Sequence, residues 1–94
     1  MTEHTADQLA AAVTDQPQRL RYELQVDGAV AFIDYRKSAG VMAMLHAEVP
    51  PQLGGHGVGT ALVHGALRLA RAEGLQIQPF CGFIAATMRR HPEW

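Results

Sequence analysis

No stretch of this 94-residue chain approaches the run of roughly 20 apolar positions that crosses a bilayer, so no membrane partner is expected. The opening Met1-Thr2-Glu3-His4 carries no positive cluster and leads into no apolar segment. No secretory leader is therefore expected, and cytoplasmic residence is. Cysteine is almost missing. Cys81 stands alone, which excludes an intramolecular disulfide and a thiolate set for structural zinc. The five histidines share no ligand spacing, which argues against a metal site. Charge of one sign is missing too: eight basic residues against nine acidic ones leave a net −1. The basic residues are scattered as Arg19 and Arg21, Arg36 and Lys37, Arg68 and Arg71, Arg89 and Arg90. A protein that tracks a nucleic-acid backbone needs a continuous basic stripe, so nucleic acid is excluded as a main partner.

What is present suits one small globular domain, with 48% hydrophobic and 18% charged residues. A chain this short buries only about 60–65% of its unfolded surface, which leaves little for a second domain. Residues 1–18 read as an N-terminal tail or short helix ahead of a domain at 19–94. Thr5-Ala6-Asp7-Gln8 has the form of a capping box before Leu9-Ala10-Ala11-Ala12-Val13. A frayed helix or mobile tail is the plainer expectation, with Pro17 as the break. From Arg21 the pattern has period two, with Tyr22, Leu24 and Val26 on one face and Arg21, Glu23 and Gln25 on the other. Asp27-Gly28 is a two-residue hairpin signal. Ala29 to Arg36 forms the returning strand, Lys37-Ser38-Ala39-Gly40 a second turn, and Val41 to Val49 a third strand. Strict alternation places Val41, Ala43, Leu45, Ala47 and Val49 on one face, with Met42, Met44, His46 and Glu48 on the other. Pro50-Pro51 ends the strand, because proline cannot donate to the ladder.

Residues 57–73 carry a helical pattern, with Val58, Ala61, Leu62, Ala66 and Leu69 apolar and His64, Arg68 and Arg71 opposite. Gly74 stops the helix. Gln76 to Phe80 reads as a short strand, parallel to the third if the helix crosses over between them. Phe83 to Arg90 predicts a final helix. The order βββαβα is that of an α+β protein, an α/β sandwich of minimal size.

Three features carry chemistry. Leu53-Gly54-Gly55-His56-Gly57-Val58-Gly59-Thr60 places four glycines between a strand and a helix. Glycine lets the backbone curl and lets a ligand approach the amides, and the first helix amides suit a phosphate. Thr60 stands where a P-loop needs lysine, and no G-x-G-x-x-G can be fitted. A flexible connector that allows close helix–sheet packing is the plainer alternative. Cys81 follows a strand and precedes a helix, where the dipole favours a thiolate, although a lone cysteine is more often a small buried hydrophobe. His46 and Glu48 sit roughly 6.6 Å apart along one strand. Each is a candidate general base, or a half-buried polar group satisfied by a neighbouring turn. His56 and His64 read as ordinary loop and helix-surface residues, and His91 has no evident partner.

The meander, the kinked third strand, the glycine turn, the long helix and the short parallel strand together resemble the GCN5-related N-acetyltransferases. That resemblance implies a minimal acyl-coenzyme A N-acyltransferase fold. The superfamily loop pattern Q/R-x-x-G-x-G/A is met at Gly57 and Gly59, while Gly54 replaces its first residue. His46-Ala47-Glu48-Val49-Pro50-Pro51, Ala70-Arg71, Pro79-Phe80-Cys81 and Arg90-His91-Pro92-Glu93 resemble its small single-domain YjdJ-type branch, with Ala47 and Gly82 departing from the Thr and Pro expected there. The resemblance implies acetyl-coenzyme A as co-substrate, held by Val49, Gly54, Gly55, His56, Gly57, Val58, Gly59 and Thr60, and no metal. It implies Cys81 and Glu48 as the reacting groups, and an amine acceptor, free or on a protein, which it does not identify. A non-catalytic acyl-coenzyme A sensor or adaptor is the alternative.

Overall fold

Turn chemistry organises the first half of the molecule. A computed structural model describes residues 4–94; Met1, Thr2 and Glu3, on which the expectation about a leader partly rests, lie outside them. The elements in chain order are α1 (Ala6–Ala11), β1 (Thr14–Gln16), β2 (Arg21–Val26), β3 (Ala29–Ser38), β4 (Val41–Glu48), α2 (Val58–Ala72), β5 (Gln76–Pro79) and α3 (Gly82–Arg90). Asp27 and Gly28 both have positive φ, 48° and 83°, as do Ala39 and Gly40 at 43° and 80°. Both hairpins are therefore closed by two-residue turns with the twist that suits the strands. The second turn is shorter than expected, and β3 runs on to Ser38.

The five strands lie in the order β1-β2-β3-β4-β5. The first four are antiparallel, and β5 runs parallel to β4, as a crossover through α2 requires. This is the expected α+β class, extended at the N-terminus by α1 and β1.

β4, the strand expected third, departs from strict alternation. Tyr35 opposes Met44, whereas Asp34 opposes His46, so Leu45 has no opposite number. That extra residue is a β-bulge, and it reverses the facing of everything after it. Met42 and Met44 are fully buried, and Ala47 opposes the buried Ile33. His46 and Glu48 are exposed on the opposite face. The alternation that grouped them with Met42 and Met44 is thus corrected by one inserted residue.

Residues 6–16 pack into the core rather than fray. The capping box of α1 is made in both directions: Gln8 N donates to Thr5 Oγ1 at 3.0 Å, and Thr5 N to Gln8 Oε1 at 3.0 Å. Leu9, Ala10 and Val13 are buried, and α1 packs on α2. This second contact widens the buried side of α2 beyond the expected stripe, to include Val63, Gly65, Leu67 and Ala70, while Leu69 is only half-buried. Gly74 closes α2 at φ 77°, with Leu75 N donating to Ala70 O at 3.1 Å, a Schellman ending.

The helices all belong to the core side of the sheet, which carries Tyr22, Leu24, Ile33, Tyr35, Met42 and Met44. Among the described residues nothing covers the other side. There Arg21 lies 3.8 Å above the Phe32 ring and 3.5 Å from Asp34. Arg19 grips Glu23 through two bonds of 3.0 and 3.2 Å, which leaves Glu23 buried although it points outward. Trp94 is stacked on His64 at 4.0 Å and on His91 at 3.9 Å, nearly parallel to both. Two imidazoles this close to one ring occupy opposite sides of it. His64 is therefore a packing residue rather than plain surface, and His91 also meets Glu93 at 3.2 Å. No helix among the described residues is long and apolar enough to cross a membrane.

The core holds two tyrosines with different needs. Tyr35 donates to Asp15 Oδ1 at 2.6 Å, while the buried Tyr22 hydroxyl has no partner among the described residues. Burial, and then Asp15, push both phenols well above the ordinary tyrosine value. A raised folded pKa means stability that is complete below about pH 10, the unfolded tyrosine value, and lost as pH rises beyond it. Chemical denaturation should therefore show stability falling above about pH 10. Tyr35→Phe should cost about 1–2 kcal/mol at neutral pH through the lost charge-assisted bond. Tyr22→Phe should be neutral or stabilise by up to about 1 kcal/mol.

Candidate functional site

The site begins where β4 runs out. Pro50 and Pro51 halt the ladder, and Pro51–Leu53 makes a single 3-10 turn, with Leu53 N donating to Pro50 O at 2.9 Å and Gly54 N to Pro51 O at 3.0 Å. Leu53 is 1% exposed and pins the turn to the core. The chain then reverses through Gly55 and Gly57, both at positive φ (78° and 73°), with His56 exposed between them. A side chain at either glycine would strain the backbone.

Gly57 caps α2 with no side chain to offer its amides. The first intrahelical bond is Ala61 N to Gly57 O, 3.0 Å, so the amides of Val58, Gly59 and Thr60 have no acceptor within the helix. No acidic side chain lies in this first turn, and buried Val58 anchors it. Three free amides at the positive end of a 15-residue helix form a seat for an anion such as a phosphate.

Gly59 has a different reason to be glycine. A Cβ there would come within 2.9 Å of the Phe83 ring and 3.5 Å of Val49. The start of α2, the chain just past β4 and the first turn of α3 thus approach one another at Gly59. Close packing accounts for this glycine, whereas turn conformation accounts for Gly55 and Gly57.

Beside the turn the sheet opens. Phe80 N donates to Met44 O at 2.9 Å. Beyond that bond no backbone hydrogen bond joins residues 45–49 to residues 80–81 among the described residues. β5 ends at Pro79 while β4 runs on past its bulge, a feature that bends strands, and the edge of β4 toward β5 is left unpaired there, a wedge between the two strands. Cys81 stands at the wedge as the N-cap residue of α3 (φ −90°, ψ 130°), half-buried against the core. On the far side of β4, His46 Nε2 and Glu48 Oε1 are 3.8 Å apart, both more than half exposed, with Phe32 edge-on to His46.

The structure therefore brings Val49 and the Phe83 ring up to Gly59 at the start of α2. It does not join Cys81 to Glu48 or His46 by any hydrogen bond or ion pair among the described residues. Among those residues no cluster of three His, Cys, Asp or Glu side chains could hold a metal ion. The walls at Phe83, Phe80 and Leu45 were invisible to the sequence reading. Only the facing Gly59 hinted at a bulky neighbour, and nothing marked which.

A bulged central strand, a wedge beside a parallel neighbour and a glycine turn opening a crossover helix define the class. A family model described as GCN5-related N-acetyl-transferase matches residues 21–94. The chain belongs to that family. The match starts at β2, so α1 and β1 lie outside it. Comparison with curated proteins gave no match.

Proposed function

We propose that the protein binds acetyl-coenzyme A in the wedge and transfers its acetyl group to a primary amine. The observation that carries this reading is the row of free amides at Val58, Gly59 and Thr60 behind the Gly55–Gly57 turn, which suits a pyrophosphate. The pantetheine arm, an extended chain with two amides, can pair with the unpaired edge of residues 45–49 as a strand would. The thioester then lies toward Phe80 and Cys81. The 79–81 and 90–93 motifs support the YjdJ-type branch.

Two routes fit these residues. In the direct route the amine, having lost a proton to Glu48, attacks the thioester carbonyl. A C–N bond forms, the C–S bond breaks, and the coenzyme thiolate takes up a proton. In the relayed route the Cys81 thiolate attacks first, so the acetyl group passes from coenzyme sulfur to Cys81 sulfur and then to the amine. Acetyl-coenzyme A at a hundredfold excess over its dissociation constant should stabilise the protein by about 2.7 kcal/mol. For a domain of this size that raises Tm by roughly 10–20 °C. An unchanged Tm would sink the reading. Intact-protein mass measured after mixing separates the routes, because only the relayed one leaves acetyl on Cys81.

A second reading, a non-catalytic acyl-coenzyme A sensor or adaptor, draws on the exposure of Glu48 and its lack of contact with Cys81. It predicts the same Tm shift, no release of free coenzyme A with any amine, and no effect of Cys81→Ala or Glu48→Gln on what the protein does in the cell.

A further inference from the structure

The wedge has two sides, and they differ. On the core side α2 and α3 flank it, with the ring of Phe83, itself 42% exposed, against Gly59. On the other side no described element covers the sheet. Among the described residues four large apolar side chains are exposed, and two of them lie at this open mouth: Leu45, 39% exposed, and Phe80, 67% exposed. They are neighbours across the last rung of the ladder, since Phe80 N bonds Met44 O. Ile77 and Pro79 are half-buried on the core side while Gln76 and Gln78 are exposed. Phe80 continues that alternation and emerges with the glutamines on the open face. Leu45 is the bulge residue, which no residue of β3 opposes.

Arg21 is committed to the Phe32 ring, Asp34 and Glu23, and Arg36 Nη1 donates to the Tyr35 carbonyl at 2.9 Å. Glu48 has only His46, at 3.8 Å, and so retains a carboxylate able to receive an ammonium group. An apolar lip with a spare carboxylate three residues along the same strand, about 10 Å away, matches a cation carried near an apolar group. The surface is open, so a small amine would leave most of the lip wet, whereas a polypeptide can cover it and bury both side chains.

We propose that the acceptor is a lysine on a protein segment, flanked by large apolar side chains that dock on Leu45 and Phe80 while its amine reaches past Glu48 into the wedge. The segment comes from the uncovered side of the sheet. This rests on the acyl-transfer reading above and adds to it the acceptor class and the direction of approach.

The test uses two five-residue peptides with blocked termini, one with lysine between two phenylalanines and one with lysine between two serines. Release of coenzyme A from acetyl-coenzyme A and the mass of the peptide are both followed. The phenylalanine-flanked peptide should show a kcat/KM about tenfold higher or more. In Phe80→Ser that ratio should collapse toward one in a protein whose Tm still rises with acetyl-coenzyme A. Leu45→Ser serves as a second, independent variant. Equal rates for the two peptides, or a ratio that survives both substitutions, overturn the lip. A normal Tm shift with neither peptide acetylated also overturns it and favours the sensor reading. No Tm shift at all removes the acyl-coenzyme A reading on which it stands.

Discussion

Gly65→Ala should lower stability by about 2 kcal/mol and Tm by roughly 8–16 °C, although helix propensity alone predicts the opposite sign. Alanine in place of glycine inside a helix is worth about 1 kcal/mol in its favour. At Gly65, however, a Cβ would collide with the carbonyl oxygen of Ala10 and with Val13, whose own Cβ would lie 2.6 Å away. The first obstacle is backbone and cannot swing aside. The second is a β-branched side chain with one strongly preferred rotamer. Either α2 shifts or α1 lifts, and lifting α1 exposes Leu9 and Val13, now 6% exposed each. Thermal denaturation gives the sign, and faster amide exchange across residues 6–16 would show that α1 is the part that yields. A Gly65→Ala protein as stable as the parent, or more so, would overturn the close docking of α1 on α2.

That docking also shows where sequence reading stops. The hairpins were legible because Asp27-Gly28 and the period of two act through neighbours in the chain, and the same is true of the Schellman ending at Gly74. The capping box at Thr5–Gln8 was visible as well. What was not visible was its consequence: a six-residue helix is marginal alone, and only the groove at Gly65, more than fifty positions away, holds it. The apolar stripe of α2 was read too narrowly for the same reason. Val63, Leu67 and Ala70 look redundant until a second element needs a surface to rest on.

The candidate site divides along the same line. The glycine turn announced itself because positive φ and free amides are local properties. The bulge at Leu45 did not, because in sequence Leu45 is one more apolar residue in an apolar strand, and only the register against Asp34 and Tyr35 reveals it. One inserted residue moved His46 and Glu48 from the face of Met42 and Met44 to the open face. Phe83 was beyond reach for a similar reason: its meaning lies in Gly59, which the chain brings to it through α2 and β5.

Gly57→Ala should cut the Tm shift given by acetyl-coenzyme A to about 3 °C or less while leaving the protein folded. The substituted residue would sit at φ 73° with nothing within 4 Å of the new Cβ, so there is no clash, only left-handed strain of about 1–2 kcal/mol. The turn can relieve that strain by swinging φ negative, which turns the amides of Val58 and Gly59 away from a common point. Loss of two or more charge-assisted bonds to a pyrophosphate should weaken binding by about a hundredfold or more. Gly28→Ala supplies the matched control. Gly28 has φ 83° and equally open surroundings, so the folding penalty should be alike, but it lies in the β2–β3 hairpin and should leave the ligand shift untouched. Gly59→Ala tests the other reason for glycine at this corner. Its Cβ would meet the end of a phenyl ring at 2.9 Å, which can rotate outward, so a smaller loss of affinity is expected, relieved in the Gly59→Ala/Phe83→Ala pair. Equal ligand shifts in the Gly57 and Gly28 variants would show that the turn merely connects β4 to α2 and holds no anion.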